Sequence, residues 1–341
     1  MKHSLYASLR CRHLLTSLCP ISPGGSVTPD RNYFELLRAR QEAGFHLCVG
    51  LDTSPKFLPA PLATPSGEIV VGPWLRFNCA IVDATAGWAA AFKPNLAFYE
   101  PFGDVGWWVL RETIAYINQC YPHIPTIGDG KRADIGATNL NYVDALFDKY
   151  GCDAATVHAW HGMEAMRPFL ERSDRGIIVV VRTSNPGAEE FQCEEVRIDG
   201  ATYLDMPKIV QDAAMPIQLR SSPDVHFLIP SYQRMAWRIA RHWNAVSSNC
   251  AVVAGATFPA DVAAVRAIIG NDMQILGPGF GKQAAVVRDA VRALRNNRGS
   301  AFLGNSSSGI SGASLGPDFA EAAAREAQKL HELFTQYRLE A

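Results

Sequence analysis

The chain has 341 residues, 48% of them apolar, enough for one large domain or two small ones. Its formal net charge of −1 gives no broad field favouring nucleic acid or an anionic membrane surface. No stretch reaches the ~18–20 uninterrupted apolar residues that span a bilayer.

Residues 1–30 read as an N-terminal extension and 31–341 as a single domain. The first 29 residues hold no Asp or Glu and carry Lys2, Arg10 and Arg12 among serines. They read as a disordered tail, with an organelle transit peptide or an over-long start as alternatives. A secretory signal does not fit, because no apolar core is followed by a small-residue cleavage site.

From residue 45 onward, short apolar runs alternate with longer stretches of helical period. The runs are 45–51, 88–94, 124–129, 153–158, 176–182, 250–257, 273–279 and 300–306. They are apolar almost throughout, as in strands buried on both faces of a parallel sheet. Amphipathic helices are expected over 104–120, 137–150, 283–296 and 318–337. Eight strands alternating with helices predict an α/β fold, the (β/α)8 TIM barrel. An open doubly wound sheet is the alternative, but no GxGxxG turn follows the first strand. Residues 59–73 are expected as a long loop. Residues 186–248 are too long for one connection, so they are expected to hold a mobile loop, an insertion near 190–230 and a helix over 231–246.

The eight cysteines form no CxxC pair and have irregular spacing. They read as reduced, buried thiols of a cytoplasmic protein. His158 and His161 have a spacing that could hold a metal, but no Cys or carboxylate cluster accompanies them, so no metal is expected. Trp107 and Trp108 read as packing rather than as a nucleic-acid platform.

Barrel active sites lie at the C-terminal ends of the strands. There the first three strands deliver Asp52, Lys93 and Asp129, with Lys131 just beyond and Asp134 a turn later. An ion-pair lattice closing the barrel is the bland reading. Desolvating four alternating charges costs several kcal/mol each, which favours function. Gly277, Gly279 and Gly281 precede a helix start after strand seven, where many barrels bind phosphate.

The segments "GLD" (50–52), "FKPNLAFYE" (92–100), "DGKRADIGATN" (129–139), "RTSNPGA" (182–188), "GAT" (255–257) and "GPGFGKQ" (277–283) come in an order that resembles the orotidine 5'-monophosphate decarboxylase family, in its longer bacterial-type branch. The resemblance covers roughly residues 32–335. It implies cofactor-free decarboxylation of orotidine 5'-monophosphate (OMP) to uridine 5'-monophosphate (UMP) in pyrimidine biosynthesis. Lys93, Asp129, Lys131 and Asp134 would form the charged network, with Lys131 as proton donor. Asp134 and Thr138 would reach the neighbouring subunit's site in a homodimer. Asp52 and Thr138 would hold the ribose hydroxyls, Ser184 the pyrimidine, and Gln283 the link from base to phosphate. The loop after Pro186 would close over the phosphate, which the glycines of 277–281 would cradle.

One motif departs from the family. It usually carries an arginine after strand eight, in S-S-R-G-I, where this chain has Ser308. The facing loop, usually GAQGG, here reads "GKQAA" and introduces Lys282. Either Lys282 replaces the arginine, or the substrate lacks the usual phosphate contact. A catalytically inactive scaffold barrel is the third reading. The intact charges speak against it, because a binding module has no use for a buried like-charge clash.

Overall fold

The computed structural model describes residues 31–63, 71–219, 224–280 and 284–340. All eight expected strands are present. They are β1 (Leu47–Leu51), β2 (Ala89–Pro94), β3 (Ile127–Arg132), β4 (Ala154–His158), β5 (Gly176–Arg182), β9 (Cys250–Ala254), β10 (Gln274–Pro278) and β11 (Phe302–Ser306). The parallel sheet runs in the order β2-β1-β11-β10-β9-β5-β4-β3. The bridges Phe92–Thr126 and Asn95–Asp129 join its two ends, so the sheet closes into a barrel. The open-sheet alternative is set aside.

Strand parity divides the buried side chains into two groups. Cys48, Ala91, Ile127, Ala154, Ile178, Val180, Ala251, Val253, Leu276 and Leu303 fill the inside of the barrel. Their neighbours in sequence, such as Val49, Phe92, Ala155, Val179, Val252 and Ile275, pack outward against the helices. Both faces are covered, which is why these strands read as continuous apolar runs.

Three helices that the sequence reading did not name, α2 (Val71–Thr85), α5 (Gly162–Leu170) and α7 (Pro259–Ile269), join the expected ones, α3 (Gly103–Cys120), α4 (Gly136–Val143), α6 (Ser231–Arg238), α8 (Ala284–Leu294) and α9 (Phe319–Leu339), and α2 begins inside the stretch expected as a loop. The helix expected over 137–150 is α-helical only to Val143 and continues as a π turn over Asp144–Lys149. The sequence reading did not include α1 (Tyr33–Glu42). The Asn32 side chain caps it, accepting from Phe34 N (3.0 Å) and Glu35 N (3.2 Å). Its Tyr33 and Leu37 are fully buried and join the inner cluster, where they plug the end of the barrel remote from the site. A Cβ on Gly176, at the start of β5, would come within 2.3 Å of the Tyr33 ring.

Between β5 and α6 the chain builds a small antiparallel sheet. It contains β6 (Glu195–Ile198), β7 (Met215–Gln218) and β8 (Val225–Pro230), in the order β6-β8-β7. The expected insertion is therefore a structured wall beside the barrel mouth. Residues 1–30, with the expected tail, lie outside the described residues, as does part of the 59–73 loop.

One buried group links the fold to pH. His46 is fully buried, stacks on Phe302 and has no partner for Nε2. Burial, reinforced by the positive charge of Arg338, lowers its pKa to about 3. Above pH ~6.5 the imidazole is neutral in both states and no penalty arises. Below that, the unfolded chain takes up a proton that the folded chain refuses. Stability therefore falls by about 1.4 kcal/mol per pH unit down towards pH ~3. Urea unfolding at pH 7 and pH 5 checks this. The His46→Leu variant is expected to lose about 2 kcal/mol less than the wild type between the two.

Candidate active site

The strand ends converge as the parity requires. Asp129 and Lys131 stand two residues apart on β3, and the chain between them is irregular. Gly128 pairs with Ala155 of β4, but the next aligned pair is Arg132 with Val157, so residues 129–131 bulge opposite Thr156 alone. Thr156 fills the gap. Its hydroxyl donates to Asp129 Oδ1 (2.7 Å) and accepts from the Lys131 backbone N–H (3.0 Å). Lys131 consequently has φ +46°, a left-handed conformation that costs a side-chain-bearing residue about 1–2 kcal/mol. Lys131→Gly is therefore expected to be about 1 kcal/mol more stable than Lys131→Ala, although both lack the ammonium. Denaturant midpoints of the two variants measure the difference.

Four charges alternate across the mouth. Lys93 Nζ lies 3.8 Å from Asp52 Oδ1 and 2.7 Å from Asp129 Oδ2. Lys131 Nζ lies 2.7 Å from Asp129 Oδ1. Burial alone would raise the pKa of Asp129, but the ammonium groups of Lys93 and Lys131 hold it well below the carboxylate range. Burial alone would lower the pKa of Lys93, but Asp129 and then Asp52 reverse that, and the ammonium is held above its ordinary value. Two acids and two bases, paired in alternation, make this cluster neutral overall, with Lys93 and Asp129 buried and Lys131 open to the mouth. The expected like-charge clash is absent in the free chain, because the nearest charges to Asp129 are both cations.

A cleft of about 930 Å³ opens over this array. Asp52, Lys93, Asp129, Lys131 and Ser184 line it, as the sequence reading expected. One further wall is apolar, with Val180, Val253, Leu276 and Met235, and the segment around Phe191 and Gln192 overhangs another. Gln192 anchors that segment by accepting from Thr183 N (2.8 Å). Asp52 Oδ1 and Asn305 Oδ1 are buried without a hydrogen-bond donor, so two acceptors await one.

Other expected residues stand apart from the array. Asp134 Oδ1 accepts from the next backbone N–H, of Ile135 (2.6 Å), and neither Asp134 nor Thr138 lines the cleft of its own chain. Ser308 is exposed at the start of a short helix, and its neighbour Ser307 lines the cleft instead. Gly279 has φ +105°, which accounts for glycine there, yet it does not line the cleft. Gly281, Lys282 and Gln283 lie outside the described residues.

Thr156 and Asn305 were not assigned roles from sequence. The available signal was parity, since the alternation that sends Ala154 inward also sends Thr156 inward. His158 lines the cleft, and burial together with the charge of Lys131 lowers its pKa, so the ring is neutral at pH 7. His161 does not line it. Among the described residues, no three His, Cys, Asp or Glu side chains gather as metal ligands. Nor is any helix there long and apolar enough to cross a membrane.

A closed (β/α)8 barrel with a neutralised Asp–Lys–Asp–Lys array at its C-terminal mouth is the framework of a barrel enzyme acting on a small polar molecule. The sequence profile of the orotidine 5'-phosphate decarboxylase / HUMPS family matches residues 46–325. The chain is 38% identical over 304 residues to an orotidine 5'-phosphate decarboxylase of Ralstonia nicotianae, covering 89% of this chain and 98% of that one. It is also 38% identical over 294 residues to the Thermomicrobium roseum protein of that name, covering 86% and 91%. The solved OMP decarboxylase of Leishmania donovani superposes with TM-score 0.68 at 27% identity, covering 91% of this chain and all of that one. The chain belongs to the orotidine 5'-phosphate decarboxylase / HUMPS family.

Proposed function

We propose that this protein is a carboxy-lyase that converts OMP to UMP in pyrimidine biosynthesis, without a cofactor. The observation that carries the reading is Asp129, buried and ionised between Lys93 and Lys131 at the floor of the cleft. The substrate carboxylate would sit beside Asp129. Two like charges ~4 Å apart cost about 4 kcal/mol at an effective dielectric near 20. Loss of CO2 leaves the electron pair of the broken bond on C6 of the pyrimidine. Lys131 Nζ stabilises that charge and then donates a proton to C6. The ammonium already stands in place, so little reorganisation is needed as the charge develops. Lys93 and Thr156 fix Asp129, and through it Lys131.

The remaining roles follow from position. The Asp52 oxygen that accepts no hydrogen bond suits a ribose hydroxyl, and Ser184, on the cleft wall, suits the pyrimidine. The placement of Asp134 and Thr138 away from their own chain's array supports a homodimer in which they serve the partner's site. Ile135 and Leu140, exposed beside them, supply apolar surface for that contact. Mixing inactive Lys131→Ala and Asp134→Ala proteins is then expected to restore up to about a quarter of wild-type activity, because one mixed dimer retains one intact site. No disulfide joins the six cysteines among the described residues, which supports a reducing, cytoplasmic setting. We assign residues 31–341 to one barrel domain and 1–30 to an extension.

A second reading has its own observation. Among the described residues lining the cleft, the only Lys or Arg side chains are Lys93 and Lys131, and both are committed to Asp129. If Lys282 does not supply the phosphate cation, the substrate is a related nucleoside lacking that contact. Ultraviolet absorbance separates the two. The first reading predicts turnover of OMP far faster than of orotidine, with Lys282→Ala weakening OMP turnover roughly 10- to 150-fold. Equal rates on both compounds would support the second reading.

A further inference from the structure

A second chamber of about 430 Å³ adjoins the catalytic cleft and shares Ala159, Val196, Ser231 and Met235 with it as a common wall. Its far side is formed by α6 and the π turn Ile239–Trp243 that continues it. Arg234, Arg238 and His242 follow at intervals of four, so they project from one side of that helix into the chamber. The helix has a third arginine, Arg241, which is paired with Asp205 (2.8 Å), as is the indole N–H of Trp237 (2.7 Å). Arg234 and Arg238 form no ion pair or hydrogen bond among the described residues. Arg234 only exerts a distant influence on Asp199, whose carboxylate already accepts from Thr202 N (2.7 Å).

Among the described residues, no carboxylate lines the chamber, whereas Asp52, Asp129 and Glu194 line the catalytic cleft. Met163, Met235, Ile239 and Trp243 form its apolar side. Two guanidinium groups one helical turn apart match the oxygens of a phosphate, and an apolar wall with an indole matches a flat base. The volume is that of a small-ligand pocket. π turns inside helices recur at functional sites, and this one positions His242 at the chamber's edge.

We propose that this chamber is a binding site, separate from the catalytic cleft, for a phosphate-bearing anion of mononucleotide size gripped by Arg234 and Arg238. The assignment of chamber and ligand class rests on this geometry, and only the UMP arm and the kinetic readout of its test rest on the decarboxylase reading. The test is calorimetric titration of the full chain with inorganic pyrophosphate and with ADP, alone and with the catalytic cleft saturated by UMP. Both probes are expected to bind with and without UMP, and more weakly as salt rises. The doubly substituted R234M/R238M protein is expected to bind them at least a hundredfold more weakly while keeping the wild-type kcat and KM. The single R238E substitution, at an exposed position, should weaken binding without affecting folding. Absence of binding to the wild type, competition by UMP, or full binding by R234M/R238M would each overturn the proposal. A raised KM in the double variant would also overturn it, by placing the two arginines in the substrate's own site.

Discussion

Replacing Lys131 by Ala is expected to lower kcat at least ~10⁴-fold while leaving the barrel folded. In the proposed mechanism two contributions vanish together, the fixed positive charge facing the developing carbanion and the proton that ends the reaction. Positioned proton transfer contributes roughly 10²–10⁴-fold and a preorganised electrostatic partner about 10²–10³-fold. The side chain is 43% exposed, so its removal opens no core cavity. Asp129 keeps Lys93 at 2.7 Å and the Thr156 hydroxyl at 2.7 Å. Steady-state assay beside circular dichroism measures both halves of the expectation. Arginine at this position keeps the charge but is expected to remain inactive, because a guanidinium does not give up a proton under these conditions.

Replacing Asp129 by Ala is expected to have effects of opposite sign on stability and on binding. In the free protein the carboxylate is the shared partner of two cations. Its loss leaves Lys93 fully buried with only Asp52, 3.8 Å away. Breaking a buried pair in this way costs about 3–5 kcal/mol. In the proposed complex the same carboxylate would face the substrate's own, and its removal would relieve that repulsion. OMP should bind Asp129→Ala at least ~10-fold more tightly than Lys131→Ala, each normalised to UMP, which carries no carboxylate. Stability and affinity falling together would show that Asp129 attracts the substrate, contrary to the mechanism. Removing the acid also affects acid unfolding. Its depressed pKa contributes stability above the usual carboxylate pKa of about 3.9, lost as pH falls further, so the variant's stability should change less over that range.

The barrel was legible in the sequence because a parallel sheet covered on both faces leaves eight uninterrupted apolar runs. The strand-end rule then identified Asp52, Lys93, Asp129 and Lys131 without knowledge of any contact. What escaped was encoded less locally. Only Tyr33, Leu37 and Gln41 of α1 are buried, too narrow a stripe to stand out in a polar segment. In the added sheet β6 and β7 have only four residues each, and in β6 only Ile198 is buried, so no alternation marks them. The bulge in β3 was hidden because it forces positive φ on a lysine, where a sequence reader expects glycine. Thr156 sits one pleat below the strand end, and its role exists only because the bulge leaves a gap opposite it.

Removal of CO2 from OMP in this cleft, with a proton taking its place at C6, would leave its mark on the product. The most direct measurement is the product formed from OMP in deuterium oxide, analysed by nuclear magnetic resonance together with released CO2. One CO2 per OMP consumed, UMP carrying a single deuterium at C6, and neither product from the Lys131→Ala protein are the expected result. OMP left unchanged by the wild type, or decarboxylated equally well by Lys131→Ala, would contradict it.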